Sequence, residues 1–510
     1  MTRSMNTFES VCHQARQAAM LRTAAETLEW DDRTGLPAEA GGYRAQQISM
    51  LSTMVHELRT DAKYGEQLLE LSEQLSGEDP CSDQVVTVRE LLRDWHRDCK
   101  LPSDLVEKIS SARTLGQQKW DEARSADDFD SFAPSLNQII DLKREAAERM
   151  AEGTQRLPYE ALMDEYEPDA KIDELQLVFG DLRRPLVALI QELCDAPKQP
   201  DTSVLHGKFP VETQRRFCAD LAQRVGFDFR RGRLDETSHP FCTTLGPHDC
   251  RILTRYDDSF VSSGLFGMMH EAGHGMYEQG LRSDWFGLPP GSYVSLGIHE
   301  SQSRMWENQV GRSRPFWQWL FDDLKQSFSS QMDAVTLDSF YAAINAVQPS
   351  LIRVEADEVT YNLHIIIRFD LEQQLIGGTL PVKDLPDAWN DRYENDLGIR
   401  PASDRDGVLQ DVHWGAGLFG YFPTYSLGNM TGAQLFAAAE RELGNLDDDF
   451  RHGRFAPLLD WMRRNVHQPG RRHTGPELVR QVTGRPLEAT DLVTYLRGKL
   501  RPLYGLEEPV

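Results

Sequence analysis

The chain has 510 residues, 40% of them hydrophobic and 26% charged, which suits a globular protein with a sizeable core. The formal net charge is −25 and no basic run stands out, so neither nucleic acid nor an anionic membrane surface is an expected partner. No apolar run approaches the ~18 residues of a membrane span, and the opening MTRSMNTFESVCHQARQ lacks the apolar stretch of a secretory signal. The expected location is therefore cytoplasmic. The seven cysteines are scattered, with no CxxC pair, so neither a disulfide framework nor a cysteine metal site is expected.

Helical spacing of apolar residues dominates. It begins with TFESVCHQARQAAMLRTAAETLEW and recurs in IDELQLVFGDLRRPLVALIQELC, Ile172 to Cys194. Strand patterns are few: HDCRILTRY, and GSYVSL as a second candidate. Between these lies GMMHEAGHGMYEQG, which reads as a helix capped by Ser262 or Ser263 and closed by Gly280. A break is expected at DWFGLPPGSY, then a helix through SLGIHESQSRMWENQVG. LPDAWNDRYENDLGIRPASDRDG reads as a further break. AQLFAAAERELGNL and LEATDLVTYLRGKLRPLY read as helices on either side of the break NVHQPGRRHTGPE. With no long linker and no repeat, residues 1–510 are expected to form a single, mainly α-helical domain.

The HEAGH stretch carries the chemistry. On a helix, His270 and His274 lie one turn apart on one face, where two imidazoles can share a Zn²⁺. Glu271 projects from the same turn and can reach a metal-bound water. Gly273 and Gly275 each cost a helix ~1 kcal/mol relative to alanine, so a close neighbour or room for substrate is expected there. A catalytic zinc needs a third protein ligand and one open position. Six residues after His274 stands Gly280, so a third histidine at that spacing is excluded. A carboxylate from a second helix remains. The HESQ segment offers Glu300 beside His299, with Glu307 two turns on; adjacent helical residues diverge by about 100°, so only one of His299 and Glu300 can face the metal.

These motifs carry a resemblance that extends over nearly the whole chain. LEWDDRTGLPAEAGGYRAQQISML, HPF at His239–Phe241, HEAGH, HESQ at His299–Gln302, IRVEAD at Ile352–Asp357, GVLQDVHW at Gly407–Trp414 and LFGYFPTYSLGN occur in order. In this the chain resembles the thermostable, Taq-type carboxypeptidase 1 family of zinc metallocarboxypeptidases. One departure stands out: where the family has D-x-R-x-T, this chain reads DCRIL, with Leu253 in place of the threonine and Thr254 following. The resemblance implies an all-α fold like that of angiotensin-converting enzyme and neurolysin, with a deep groove between two helical halves and minor short β-strands. It implies a homodimer that removes single C-terminal residues from peptides with broad specificity. It implies His270, His274 and Glu300 as ligands of one Zn²⁺ per chain, with Co²⁺ or another divalent ion as alternatives, and Glu271 as the acid/base.

The chemistry of peptide hydrolysis assigns the remaining candidates. An oxyanion needs a donor besides the metal; His413 and Tyr425 are the candidates, with Tyr425 favoured over Tyr421. A metal-bound histidine donates its second N–H to a carboxylate, for which Asp357 is the candidate. His239 is placed in the groove lining. A free C-terminal carboxylate needs a fixed cation; Arg353 is the first choice, since its IRVEAD motif is part of the pattern of the family the chain resembles and Asp357 follows one turn on, and Arg251 is the second. An endopeptidase or dipeptidyl carboxypeptidase with the same zinc site, and a metal-free peptide-binding scaffold, are the rival readings.

Overall fold

The structure is a computed structural model that describes residues 6–506. Its first helix, Thr7–Thr34, opens on a capping box in which the Asn6 side chain accepts from Glu9 N–H and Glu9 accepts from Asn6 N–H. It pairs with the Gly41–Thr60 helix, and a small apolar cluster of Val11, Tyr64, Leu68, Leu71 and Val88 joins this layer to the helices Ala62–Gln74 and Asp83–Cys99.

The rest of the chain forms two helical halves, each with its own core. One core is built from the helices Phe129–Ala151, Ile172–Cys194, Thr360–Ile376 and Leu385–Leu397. The other gathers around Val261–Gly280, with Val211–Val225 and Arg314–Ser327. The Pro423–Leu443 helix belongs to both: Leu427, Met430 and Ala433 enter the first core, and Leu435, Ala438 and Ala439 the second. The helix Thr360–Ile376 is buried on nearly all sides, as befits a central helix: 14 of its 17 residues are buried, polar ones among them. Its buried polar side chains are paired: Asn362 with Asn429, His364 with Tyr393, Arg368 with Asp411, and Glu372 with Tyr159 and Trp414.

The architecture is all-α with one small sheet among the described residues. Strands β1 (Gly232–Glu236), β2 (Phe241–Gly246) and β3 (Asp249–Thr254) lie in the order β1-β3-β2, with β3 parallel to β1 and antiparallel to β2. The strand expected in HDCRILTRY is thus the central one. GSYVSL is not a strand. The two prolines before it make a 3₁₀ turn at Pro289–Gly291, and Ser295 caps the next helix, Leu296–Arg304, by accepting from Ile298 N–H. LPDAWNDRYENDL is not a break, because Pro386 stands in the first turn of the helix Leu385–Leu397, where a proline lacks no needed N–H. The helix carrying HEAGH begins at Val261 after Phe260, which offers no side-chain cap; Ser262 and Ser263 lie inside its first turn, and Gly280 is its last residue.

Candidate metal centre

The helix Val261–Gly280 buries one face, with Met268, Met269, Ala272 and Met276, in the second core. The opposite face presents His270 and His274, whose ring centroids are 4.9 Å apart at an interplanar angle of 85°. The helix Leu296–Arg304 packs across this one at Gly273. A Cβ there would stand 2.7 Å from Gln302 O and 2.7 Å from Ser303 Cα, so the close neighbour expected at that glycine is a helix backbone. Gly275 meets side chains instead, those of Phe227 and of Ile252 in β3.

That close crossing brings Glu300 to the histidines. Its Oε2 lies 3.5 Å from His270 Nε2 and 3.4 Å from His274 Nε2. Potential ligand atoms of the three residues lie within 4.8 Å of one another, and among the described residues no other group of three His, Cys, Asp or Glu side chains meets this condition. Two imidazole nitrogens and one carboxylate oxygen converging on one point fit a divalent cation such as zinc. Arg304 Nε donates to Glu300 Oε1 at 2.7 Å and Ser303 Oγ to Oε2 at 2.9 Å. Burial disfavours the Glu300 carboxylate, but Arg304 and the two histidines outweigh it and hold its pKa well below the ordinary value.

Glu307 takes a different place. Its Oε2 lies 3.0 Å from His270 Nδ1, on the side of the ring away from Glu300, and Arg304 and Arg312 hold the carboxylate. Burial opposes its charge, yet Arg304 and the His270 hydrogen bond bring its pKa down to about 2. The carboxylate in contact with a candidate ligand histidine is therefore Glu307, not Asp357. Asp357 instead caps the helix Thr360–Ile376, accepting from Val359 N–H, Thr360 N–H and the Thr360 hydroxyl. A capping carboxylate and a histidine-supporting one look alike in sequence. His274 is also backed, by a group the sequence reading did not select: its Nδ1 lies 2.5 Å from Nδ1 of His299. Burial, then neighbouring His299, lowers His274 to about 3, which keeps the ring neutral and able to ligate.

Glu271 is buried between these groups. Burial pushes its carboxyl up to about 7, and its Oε2 has no hydrogen-bond partner. It borders a cavity of about 690 Å³, along with His270, His274 and Glu300. The N-terminal layer closes the cavity on one side through Arg22, Arg59 and Arg93; β2 lines it from Phe241 to Thr244. The resemblance implies a groove between two helical halves; this cavity is walled by the N-terminal layer and β2 together with the helices Val261–Gly280, Leu296–Arg304 and Pro423–Leu443.

Tyr421 and Tyr425 both reach the cavity wall. His413 stands behind them, with Nε2 3.4 Å from the Tyr425 hydroxyl, and burial lowers its pKa to about 3. Arg353 lies one layer deeper. Its Nε and Nη2 both donate to Asp411 Oδ1, Nη1 donates to Tyr361, and the guanidinium carbon is 5.2 Å from the Tyr425 ring centroid. Arg368 pairs with the other oxygen of Asp411. Arg251 is forked onto Asp249 and lies over the Trp30 ring, 4.2 Å from its centroid, and does not border the cavity. His239 is exposed at the turn before β2; its neighbours Pro240 and Phe241, not His239, form the lining. Leu253 is buried in β3, and Thr254 beside it donates to Gly264 O at 3.3 Å within the fold.

Residues 10–500 match the family model described as carboxypeptidase Taq (M32) metallopeptidase. The chain belongs to this M32 family. It is 44% identical over 505 residues to thermostable carboxypeptidase 1 of Thermus thermophilus, covering 98% of this chain and 99% of that one. It is 36% identical over 483 residues to carboxypeptidase 1 of Bacillus subtilis, covering 95% and 96%. Among solved structures, the M32 carboxypeptidase from Deinococcus radiodurans R1 superposes with a TM-score of 0.94 at 40% identity, covering 98% of this chain and all of that one. As an M32 member the protein is a metallopeptidase of the carboxypeptidase class, acting on peptides.

Proposed function

We propose that the protein is a zinc carboxypeptidase that releases single residues of broad type from free peptide C-termini, with His270, His274 and Glu300 holding the metal. The observation that carries this reading is the convergence of Nε2 of both histidines on one oxygen of Glu300, beside a buried carboxyl with an unsatisfied oxygen. Bound there, a divalent cation supplies a Lewis acid for the scissile carbonyl and an acidified water.

Glu271 accepts the proton of the attacking water at its unpaired Oε2 and passes it to the leaving amine. The Tyr425 hydroxyl, on the cavity wall, donates to the developing oxyanion, and His413 Nε2 behind it orients that hydroxyl. Tyr421 shapes the same wall.

The substrate carboxylate is assigned to Arg353. Two guanidinium groups, Arg353 and Arg368, share the single carboxylate of Asp411, so this buried trio keeps one net positive charge. A peptide C-terminus reaching past Tyr425 neutralises it, and Asp411 keeps Arg368 as partner when Arg353 turns to substrate. Arg251 has no such surplus, since Asp249 is its own partner. The same reading takes residues 1–510 as one domain and the chain as a cytoplasmic homodimer. No helix among the described residues is long and apolar enough to cross a membrane.

The test uses one peptide in two forms, with free and with amidated C-terminus, incubated with protein of measured zinc content. Single-residue losses that amidation blocks are expected. Internal cleavage or loss of dipeptides at stoichiometric zinc overturns the exopeptidase assignment. Arg353→Ala is expected to lower kcat/KM for the free acid by roughly 30- to several-thousand-fold and to leave the amide little changed. An equal fall for both forms, at unchanged metal content, assigns Arg353 to the fold alone.

A further inference from the structure

The second nitrogen of His274 is occupied in an unusual way. His270 gives its Nδ1 to a carboxylate, Glu307, directly. His274 gives its Nδ1 to another imidazole, Nδ1 of His299, at 2.5 Å. The chain of contacts continues: His299 Nε2 lies 2.8 Å from Glu278 Oε1, and Thr244 Oγ1 donates to Glu278 Oε2 at 3.0 Å. Every proton in this series has a place. With Nε2 of His274 turned to Glu300 and the metal, Nδ1 of His274 carries the ring proton and donates it to Nδ1 of His299. His299 then carries its own proton on Nε2 and donates to Glu278, while Thr244 donates to the other carboxylate oxygen. No group is asked to donate twice or accept where it holds a proton.

The ring that transmits this order is fixed on three sides. Its centroid lies 4.5 Å from that of His274, 5.2 Å from Tyr277 and 5.2 Å from Tyr293. Glu278 is four residues beyond His274, one turn along the same helix face. Thr244 belongs to β2, which lines the cavity.

We infer that His299 and Glu278 are positioning residues that set the tautomer and ring angle of His274, with Thr244 tying this relay to the cavity wall. The inference rests on the proposed ligand set. Two histidines of one metal site are then supported differently: His270 by a carboxylate in contact, His274 by a carboxylate at one remove. Outer groups of this kind typically change metal affinity by about 10- to 100-fold when removed.

The test measures the zinc dissociation constant by chelator competition, and the visible spectrum of the cobalt-substituted protein, for four variants. His274→Ala checks the ligand set: if it binds zinc as tightly as wild type, the proposed ligand set fails, whatever the relay does. His299→Leu removes the relay and is expected to weaken zinc binding about 10- to 100-fold with an altered cobalt spectrum. His299→Asn, whose carbonyl can still accept from His274, is expected to recover part of that loss. Glu278→Gln keeps the shape but removes the anion and is expected to weaken binding several-fold. The metal-free melting temperature reports folding. If His299→Leu melts as wild type does and keeps zinc affinity within twofold and the same cobalt spectrum, the relay is overturned. If His299→Leu does not fold, Glu278→Gln decides: affinity within twofold of wild type overturns the relay.

Discussion

The carboxyl of Glu271 stands in two opposing fields. Burial pushes it up to about 7, with Glu300 and Glu307 adding to the rise, while His270 works the other way. A divalent cation held at His270, His274 and Glu300 adds positive charge a few ångströms away and favours the carboxylate. In the proposed mechanism the base form is the active one, so kcat/KM is expected to rise with pH on a limb centred below about 7 and to level off above it. Glu271→Gln is expected to retain zinc, to lower kcat by about 10²–10⁴-fold and to erase that limb. A variant with near-normal kcat, or a pH profile identical to wild type, removes Glu271 from the chemistry. Arg353 belongs to the same scale, since the free-acid selectivity proposed for it rests on one surplus positive charge among three buried groups.

At the scale of elements, the site depends on how closely three helices approach. Gly273 of the HEAGH helix lets the backbone of Gln302 and Ser303 come in on one side of Leu296–Arg304. Gly428 of Pro423–Leu443 does the same on the other, where an added Cβ would lie 2.5 Å from Cγ and 2.6 Å from Cβ of Glu300. Alanine in a helix gains ~1 kcal/mol over glycine, but forcing an extra carbon into a close contact costs ~1–3 kcal/mol. At Gly273 the obstruction is backbone and the helices must part, so Gly273→Ala is expected to lower both melting temperature and zinc affinity. At Gly428 the obstruction is the side chain of the proposed ligand Glu300, so Gly428→Ala should weaken zinc more than it weakens the fold. Calorimetry and chelator competition on the two variants measure this; equal zinc affinity in all three proteins refutes it. The need for a close neighbour at Gly273 was legible in sequence, because glycine in a helix interior is costly. So was the one-turn spacing of His270 and His274. Choosing among the acids of HESQSRMWE by spacing alone was not possible: Glu300 and Glu307, seven apart, fall on the same helix face. Only the partners separate them, one meeting Nε2 of both histidines and the other Nδ1 of His270. The His299–Glu278 contacts depend on where separate segments meet, which periodicity does not encode, whereas the capping role of Asp357 is local, with its partners Val359 and Thr360 only two and three residues on. β1 and β2 escaped notice because GRLDE and FCTTLG show no alternation; their burial is intermediate along most of their length.

At the scale of the molecule, buried carboxyls couple folding to pH. Glu167 accepts from Gly297 N–H at the first turn of the helix that carries Glu300. Burial pushes it up to about 8, against the lowering effect of its hydrogen bonds from Ser295 and Gly297. Glu372, on the central helix, is pushed up to about 7, again by burial, although Tyr159, Gly420 and Trp414 donate to it. Both start from 4.5 when solvated. Between about 4.5 and the folded values, the unfolded chain releases protons that the folded chain keeps. The unfolded state then binds fewer protons, so stability falls as pH rises through this window. Glu307 and Asp411 act in the opposite sense, but below it: their folded values are depressed, so their contribution is complete above the ordinary carboxylate range and lost only in acid. In the neutral range the raised carboxyls are opposed by buried histidines: His274 and His413, lowered to about 3 from 6.5, add stability as pH rises towards about 6.5, so the share of Glu167 is read from the difference between variant and wild type. Glutamine at 167 can keep both contacts of a protonated carboxyl, its oxygen accepting from Gly297 N–H and its amide donating to Ser295. Glu167→Gln is thus expected to fold, and to gain on the order of 2–4 kcal/mol of stability relative to wild type between pH 5 and pH 8. Denaturant unfolding of the metal-free wild type and variant at both pH values measures this. The two proteins should be nearly equal at pH 5, with the variant the more stable at pH 8. Parallel pH dependence in both would mean that Glu167 is ionised in the folded protein throughout, and that the helix bearing Glu300 starts on a carboxylate.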